Sequence, residues 1–245
     1  MEEAELNAFP PLREAILGGW TLRFSEGAPR RAASSASPLS ATCRADEGFL
    51  DCAEALYRRR GSTPLFRVPT LMPDGIDTRL EARGYTAEGE SCVIFAPLHT
   101  LPQQKDAAVR LSPSPSSRWR DAMAAFQGYG RSEARLYQRM LRSIAGPCAF
   151  AMLSLDGKAA AMAYGSVHDG VLVYESVVTD PARRRQGLAR RVLAHLAAWG
   201  ARNGAEIASL QVQADNAPAR ALYHAFGLTQ EASRYHYRRA PVASG

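Results

Sequence analysis

Apolar and polar positions change period in a regular order along the C-terminal half of the chain. Ser117–Phe126 and Ser132–Ile144 repeat apolar side chains at the three-to-four spacing of a helix. Three apolar runs follow, Cys148–Leu153, Ala159–Val167 and Val171–Val178, separated by Asp156-Gly157 and Asp169-Gly170. Asp-Gly between apolar runs signals a tight hairpin, because both turn positions need positive φ. The spacing therefore predicts an antiparallel meander. From Leu188 to about Arg202 the period is helical again, with Leu188, Val192, Leu196 and Trp199 on one face and Gly204 closing the helix. Ile207–Gln213 alternates as a strand, Leu210 and Val212 against Gln211 and Gln213. Asn216 reads as the cap of a short helix with Pro218 in its first turn and Gly227 at its end; Tyr235 and Tyr237 alternate in a last strand. With a short strand at Ala107–Leu111, the order is β-α-α-β-β-β-α-β-α-β.

The N-terminal half is less regular. Its pattern predicts a helix near Pro11–Leu17, a strand Trp20–Phe24, then a Ser/Ala-rich loop. A helix near Asp46–Arg60 ends at Gly61; a strand Leu65–Val68, a helix Ile76–Arg83 and a strand Ser91–Phe95 follow. The polar, Ser/Pro-rich stretch Leu101–Trp119 reads as a junction, which divides the chain into domains 1–104 and 105–245. One internal echo links them. LEARGYTAEG (Leu80–Gly89) and YHAFGLTQEA (Tyr223–Ala232) share Ala, Gly, Thr and Glu in register, each time between a short helix and a strand. Such junctions recur by chance, but a diverged duplication is the preferred reading.

Composition narrows the picture. Apolar residues make up 46% of the chain, normal for a core-burying protein, and no run reaches the ~18 apolar residues of a membrane helix. Met1-Glu2-Glu3-Ala4-Glu5 is acidic, the opposite of a secretory leader, so a cytoplasmic location is expected. Cys43, Cys52, Cys92 and Cys148 lack metal-ligand spacing and read as reduced, packed thiols. The five histidines are dispersed, so no metal is expected. The net charge of +6 is carried almost wholly by arginine, since Lys105 and Lys158 are the only lysines. Solvated arginines account for this, and so does a phosphate-bearing ligand. No basic block with interleaved aromatics points to nucleic acid.

The densest positive charge lies in DPARRRQGLARRVL, Asp180–Leu193, at the mouth of the Leu188 helix. A helix start carries unpaired N–H groups and partial positive charge. Gly187 presents no Cβ to an approaching anion, and Arg184, Arg185 and Arg190 add full charges. The loop is not a P-loop, which needs a second glycine followed by Lys and Ser/Thr, nor a three-glycine dinucleotide fingerprint in a parallel unit. A tight turn with solvent-exposed arginines fits it as well as a phosphate or pyrophosphate site does.

Arg184-Arg185-Gln186-Gly187-Leu188-Ala189 resembles the R/Q-x-x-G-x-G/A motif of the GNAT family, the acetyl-CoA-dependent N-acetyltransferases. Asn216–Leu228, NAPARALYHAFGL, is similar to that family's N-x-x-A-x-x-x-Y-x-x-x-G-F/L segment, and the element order resembles its fold over about Ala107–Arg239. The resemblance implies an α/β fold with a mixed, mainly antiparallel sheet flanked by helices, in two tandem GNAT-like domains. The first, containing GGWTLRF and APRRAASSASPL, resembles the degenerate half of some tandem members. It lacks the glycine loop, has Leu80 in place of Tyr223, and is expected to bind no acetyl-CoA.

The resemblance further implies N-acetyl transfer from acetyl-CoA to a primary amine, with a small molecule as acceptor; a protein N-terminus or lysine is the alternative, as is a non-catalytic acyl-CoA-binding role. Val177, Val178 and Thr179 would offer backbone groups to the pantetheine arm, provided strand pairing is interrupted there. Arg184, Arg185, Gln186, Gly187, Leu188, Ala189 and Arg190 would hold the pyrophosphate, and Asn216 would contact the donor or serve as a helix cap. Glu175 is the candidate base, and the Val178 N–H the oxyanion donor. Tyr223 is the candidate acid for the leaving thiolate and lies at the donor site. Arg118, Arg120, Arg131, Arg135 and Arg139 would favour an acidic acceptor unless simply solvated.

Overall fold

The computed structural model describes residues 1–72 and 75–241. In chain order the elements are α1 (Glu2–Ala8), β1 (Arg13–Leu17), β2 (Trp20–Phe24), β3 (Ala36–Pro38), α2 (Glu47–Arg59), β4 (Leu65–Pro69), α3 (Ile76–Ala82), β5 (Thr86–Pro97), β6 (Val109–Ser112), α4 (Ser117–Gln127), α5 (Arg131–Leu141), β7 (Cys148–Leu155), β8 (Lys158–His168), β9 (Val171–Thr179), α6 (Leu188–Arg202), β10 (Ile207–Gln213), α7 (Ala217–Phe226) and β11 (Gln230–Arg239). The class is α/β with mostly antiparallel strands, as expected. Two compact units interleave along the chain. The first holds Met1–Pro10, Val93–Val212 and Asn216–Glu231; the second holds Pro11–Cys92, Gln213–Asp215 and the residues from Ala232 on.

In the first unit the strand order is β5-β10-β9-β8-β7-β6. β6 to β9 form the antiparallel meander, and β10 joins β9 in parallel. The Asp-Gly pairs turn as their chemistry requires: Asp156 and Gly157 have φ of 49° and 71°, Asp169 and Gly170 45° and 73°. Helix α4 is capped by Ser116, whose hydroxyl accepts from the Trp119 N–H at 3.2 Å. Trp119 is buried edge-on against Phe150 and donates its indole N–H to the Ala151 carbonyl at 3.1 Å. Helix α6 presents Leu188, Val192, Leu193, Leu196 and Ala197 to the sheet, all buried. Tyr174, on β9, reaches the Leu193 carbonyl of α6 at 3.4 Å and meets the Phe226 ring of α7. Both helices therefore lie on the Tyr174 face.

The opposite face of β9 is covered by α1, which sequence patterning did not reveal. Ala4 and Ala8 pack on Val171 and Val173 with Ile207 beside them, and the Tyr164 hydroxyl donates to the Ala8 carbonyl at 2.9 Å.

In the second unit the order is β1-β2-β3-β4-β11. Residues 11–17, expected as a helix, hold β1 instead. Arg13–Leu17 pairs antiparallel with Trp20–Phe24 through the two-residue turn Gly18-Gly19, with φ of 59° and 84°. Two successive positive-φ positions make the tight hairpin, and Gly-Gly supplies both without strain. The core gathers Trp20, Leu22, Phe49, Leu50, Phe66, Ile76 and Leu80, with Trp20 stacked on Phe49 at 5.3 Å. Cys43 and Cys92 are buried and Cys148 is half-buried, but Cys52 is exposed, contrary to the expectation of packed thiols.

The two echo segments close their helices alike. Tyr85 N–H donates to the Leu80 carbonyl and Leu228 N–H to the Tyr223 carbonyl, each at 3.0 Å. Each bond spans the positive-φ glycine, Gly84 or Gly227, that ends the helix.

Candidate active site

The site is built around a break in the sheet. β9 and β10 pair over only three positions, Ile207↔Val171, Ala208↔Leu172 and Ser209↔Val173, although β9 runs on to Thr179 and β10 to Gln213. A bulge lies just beyond. Against β8, Glu175 faces Tyr164 and Val178 faces Met162, so Ser176 and Val177 stand opposite the single residue Ala163. Ser176 takes a φ of 54°, which places the extra residue in the left-handed region. The Tyr137 hydroxyl of α5 lies 2.6 Å from Ser176 Oγ and pins the bulge. Val178 and Thr179 stay paired with Met162 and Ala161 of β8, while the ladder with β10 has ended at Val173, so the stretch Val177–Thr179 lies beyond the β10 pairing. These are the three residues assigned to the pantetheine arm.

Glu175 immediately precedes the bulge and is buried. The register up to it is regular, so it shares the face of Val171 and Val173, the α1 face. Its cross-strand neighbour there is Tyr164. Tyr223 is also buried, on α7, three residues before Phe226 and therefore on the helix that packs over the Tyr174 face. The candidate base thus lies on the α1 face of β9, and the candidate acid on a helix that packs over the opposite, Tyr174 face.

Past Thr179 the chain makes one short turn, Pro181–Arg183, capped by Asp180, which accepts from the Ala182 N–H at 3.0 Å. Arg185 then adopts φ of 60° and Gly187 of 72°. Gly187 is the residue before α6, and no side chain caps the helix. A Cβ at Gly187 would meet nothing within 4 Å. The backbone there faces open space, so the glycine is needed for its dihedral angle rather than for want of room. Leu188 is buried and anchors the first turn, Ala189 is half-buried, and Arg184, Arg185, Gln186 and Arg190 are exposed. Among the described residues, no ion pair engages Arg184, Arg185 or Arg190, whereas Arg183 meets Asp156 at 3.3 Å. The helix mouth therefore combines unpaired N–H groups with three uncommitted guanidiniums.

Asp106, which sequence reasoning did not single out, fixes this helix start. Its carboxylate takes Arg191 Nε at 2.5 Å and Nη2 at 3.0 Å, and its own N–H donates to His195 Nδ1 at 2.9 Å. The Arg191 hydrogen bonds, aided by the Ala108 N–H, hold the Asp106 carboxyl below its ordinary range against partial burial. Burial lowers His195, outweighing the nearby Asp106 charge, which fits a neutral ring accepting at Nδ1. No spacing rule could have joined residues 106, 191 and 195.

Asn216 is engaged as a cap, its side-chain oxygen accepting from the Ala219 N–H at 3.2 Å. Two of the arginines noted in the helices of this half are tied to backbone, Arg118 to the Gly157 carbonyl and Arg120 to that of Pro115. Among the described residues no three His, Cys, Asp or Glu side chains group as metal ligands. No described helix is long and apolar enough to cross a membrane.

A family model described as "Probable histone acetyltransferase Rv0428c C-terminal" matches residues 1–238. The chain belongs to the GNAT family of N-acetyltransferases. It is similar to the "Uncharacterized N-acetyltransferase YobR" of Bacillus subtilis, 26% identical over 244 residues that cover 97% of this chain and 96% of that one. It is 35% identical over 85 residues to the Escherichia coli "[Ribosomal protein bS18]-alanine N-acetyltransferase", a match spanning 35% of this chain and 57% of that enzyme. In fold it resembles a GCN5-related N-acetyltransferase from Kribbella flavida, with a TM-score of 0.73 at 18% identity over 99% of this chain and 95% of that one. It also resembles a tandem GNAT protein from the clavulanic acid biosynthesis pathway, with a TM-score of 0.66 at 16% identity over 100% of this chain and 89% of the other. The protein is thus an acyltransferase of the GNAT type, and an acyl-CoA donor with an acceptor follows from the family.

Proposed function

We propose that this GNAT protein transfers an acetyl group from acetyl-CoA to the primary amine of a small molecule by direct attack within a ternary complex. The observation that carries this reading is the opening of β9 from β10 at the Ser176 bulge, one turn away from an uncapped, arginine-flanked helix start. An extended acyl donor needs both: a strand edge free to pair with its amide groups, and an anion site for its pyrophosphate. Val177, Val178 and Thr179 supply the first. The loop from Arg184 to Arg190 supplies the second, through the backbone at Gly187 and the arginine charges.

The reaction asks for three things. The amine must be neutral, and Glu175, directly or through water, takes its proton. Charge grows on the thioester oxygen, and the Val178 N–H beside the bulge receives it. The thiolate leaves with a proton from the Tyr223 phenol. Asn216 contributes by fixing the start of α7, the helix that carries Tyr223.

Residues 1–104 are, in this proposal, a degenerate GNAT-like half and 105–245 the catalytic half. The matched helix closures at Leu80 and Tyr223 support a duplication. Leu80, buried in the core, offers no acid where Tyr223 offers one. The protein works in the cytoplasm without a metal.

The test is release of free CoA thiol from acetyl-CoA in the presence of a panel of amines, with mass-spectrometric detection of acetylated product. The panel holds polyamines, aryl-alkylamines, amino sugars and peptides with alanyl N-termini or lysine. Turnover of a small amine in preference to the peptides is expected. Turnover of an alanyl peptide alone would reassign the acceptor to protein N-termini. Saturable acetyl-CoA binding with no turnover of any amine would favour the non-catalytic role.

A further inference from the structure

We infer that Tyr137 and Ser176 form a latch that holds the thioester carbonyl in its reactive position; this rests on the acetyl-transfer reading above. The bulge in β9 is fixed in length from both sides. Before it Tyr164 faces Glu175; after it Met162 faces Val178 and Ala161 faces Thr179, and the Asp180 N–H donates to the Ala160 carbonyl at 2.9 Å. Register thus sets two residues against Ala163, but it does not decide which way the extra one turns. Ser176 turns into the left-handed region, with φ of 54°. An L residue is strained there, and serine is not among the side chains that favour it. Such a conformation persists only where its surroundings hold it. The Tyr137 hydroxyl, 2.6 Å from Ser176 Oγ, supplies that hold.

The latch also changes the direction in which Ser176 points. Regular alternation would put its side chain on the Tyr174 face. Its partner stands on the other side. Tyr137 is buried, and its ring lies 6.1 Å from that of Phe9, the residue that closes α1. Helix α1 covers the Val171 and Val173 face, which is the face of Glu175. Residues 175 and 176 therefore present successive side chains to the side from which the amine must come. That inversion sets the course of the backbone from Ser176 to Thr179, whose polar groups meet the acyl end of the donor. A small rotation at Ser176 would swing them away from the thioester oxygen, so the strain has a use: one backbone geometry is kept where positioning decides the rate. Tyr137 acts through the backbone, as a positioning residue, and no bond is made or broken at either hydroxyl. Because Tyr137 belongs to α5, a helix on the amine's side of the sheet also holds the carbonyl that the amine attacks.

The test reads the carbonyl itself and needs no knowledge of the acceptor. Acetyl-CoA isotopically labelled at the thioester carbonyl is bound to the protein, and its stretching band is isolated by infrared difference against the unlabelled donor. A carbonyl polarised by aimed N–H groups absorbs at lower frequency. The wild type is expected to move the band below its position in free acetyl-CoA. Tyr137→Phe keeps the buried ring and removes the latch. It should lose most of that displacement, while acetyl-CoA affinity measured by calorimetry falls by less than about fivefold, the scale of one neutral hydrogen bond. Ser176→Ala, which keeps the strain and loses the bond, should behave in the same way. Adding Ser176→Gly to Tyr137→Phe should return the band toward its wild-type position, because glycine takes a positive φ unaided. A band that the wild type does not move, one equally displaced in Tyr137→Phe, or no recovery with glycine would overturn the latch. A folded wild type that does not bind acetyl-CoA would instead sink the acetyl-transfer reading.

Discussion

Replacing Asp106 by Asn should loosen the start of α6. Asn keeps the shape and one acceptor oxygen but removes the charge that Arg191 faces at 2.5 Å and 3.0 Å. A buried hydrogen bond to a charged group is worth ~1.5–3 kcal/mol. Here the Arg191 side chain is 40% exposed and Asp106 19%, so solvent screens the pair, and about 1 kcal/mol is the expected loss at neutral pH. For a chain of this length that corresponds to a fall in Tm of about 2–4 °C. The pH dependence has a definite sign. The Asp106 carboxyl is lowered in the folded state, chiefly by the Arg191 hydrogen bond. Its contribution is therefore complete above the ordinary carboxylate value and is lost as pH falls toward the lowered folded value. Urea melts of wild type and variant at pH 7, 5 and 4 measure this. The difference should hold from pH 7 to 5 and begin to shrink at pH 4. The variant should also bind acetyl-CoA more weakly, because Arg191 follows directly on the anion-binding turn. Equal stability at pH 7, or a gap that widens on acidification, would refute the anchoring role of Asp106.

Other changes probe separate parts of the account. Tyr223→Phe keeps the buried ring, so acetyl-CoA affinity should stay within about twofold while kcat falls at least ~100-fold, the scale of general acid catalysis; steady-state kinetics with the best amine of the panel check it. Gly187→Ala should cost about 1–2 kcal/mol from its left-handed φ alone, since the added Cβ has open space, and calorimetry should show weaker acetyl-CoA binding as well. Trp119→Ala removes a buried ring and its bond to the Ala151 carbonyl, and about 3–5 kcal/mol of stability should be lost in a denaturant melt.

The C-terminal half was legible because its signals are local. The Asp-Gly pairs fixed the meander, and helical periodicity with Gly187 and Gly204 placed the Leu188–Arg202 helix at its observed bounds. The bulge was anticipated from the resemblance as interrupted pairing, but its position at Ser176 depends on cross-strand register and on Tyr137, 39 residues away. In the N-terminal half, Gly18-Gly19 was the missed signal. A Gly-Gly step between alternating segments reads as a hairpin, and giving it that weight would have turned residues 13–17 from helix to strand. Helix α1 is shorter than two full turns, and only Ala4 and Ala8 hint at a buried stripe. What makes it matter is its contact with β8, β9 and β10 some 160–200 residues later. The Asp106–Arg191–His195 set lay beyond sequence reading for the same reason, because burial and distant partners leave no period or spacing behind.

The most direct measurement is a calorimetric titration of acetyl-CoA into the wild type and into an Arg185→Glu, Gly187→Glu double variant. Both substitutions put negative charge at the mouth of α6 while leaving the buried Leu188 anchor in place. The account predicts saturable binding by the wild type in the micromolar range typical of enzyme substrates and none by the folded variant. Equal binding by both proteins would take the pyrophosphate away from this loop, and no binding by the folded wild type would contradict the assignment of acetyl-CoA as donor.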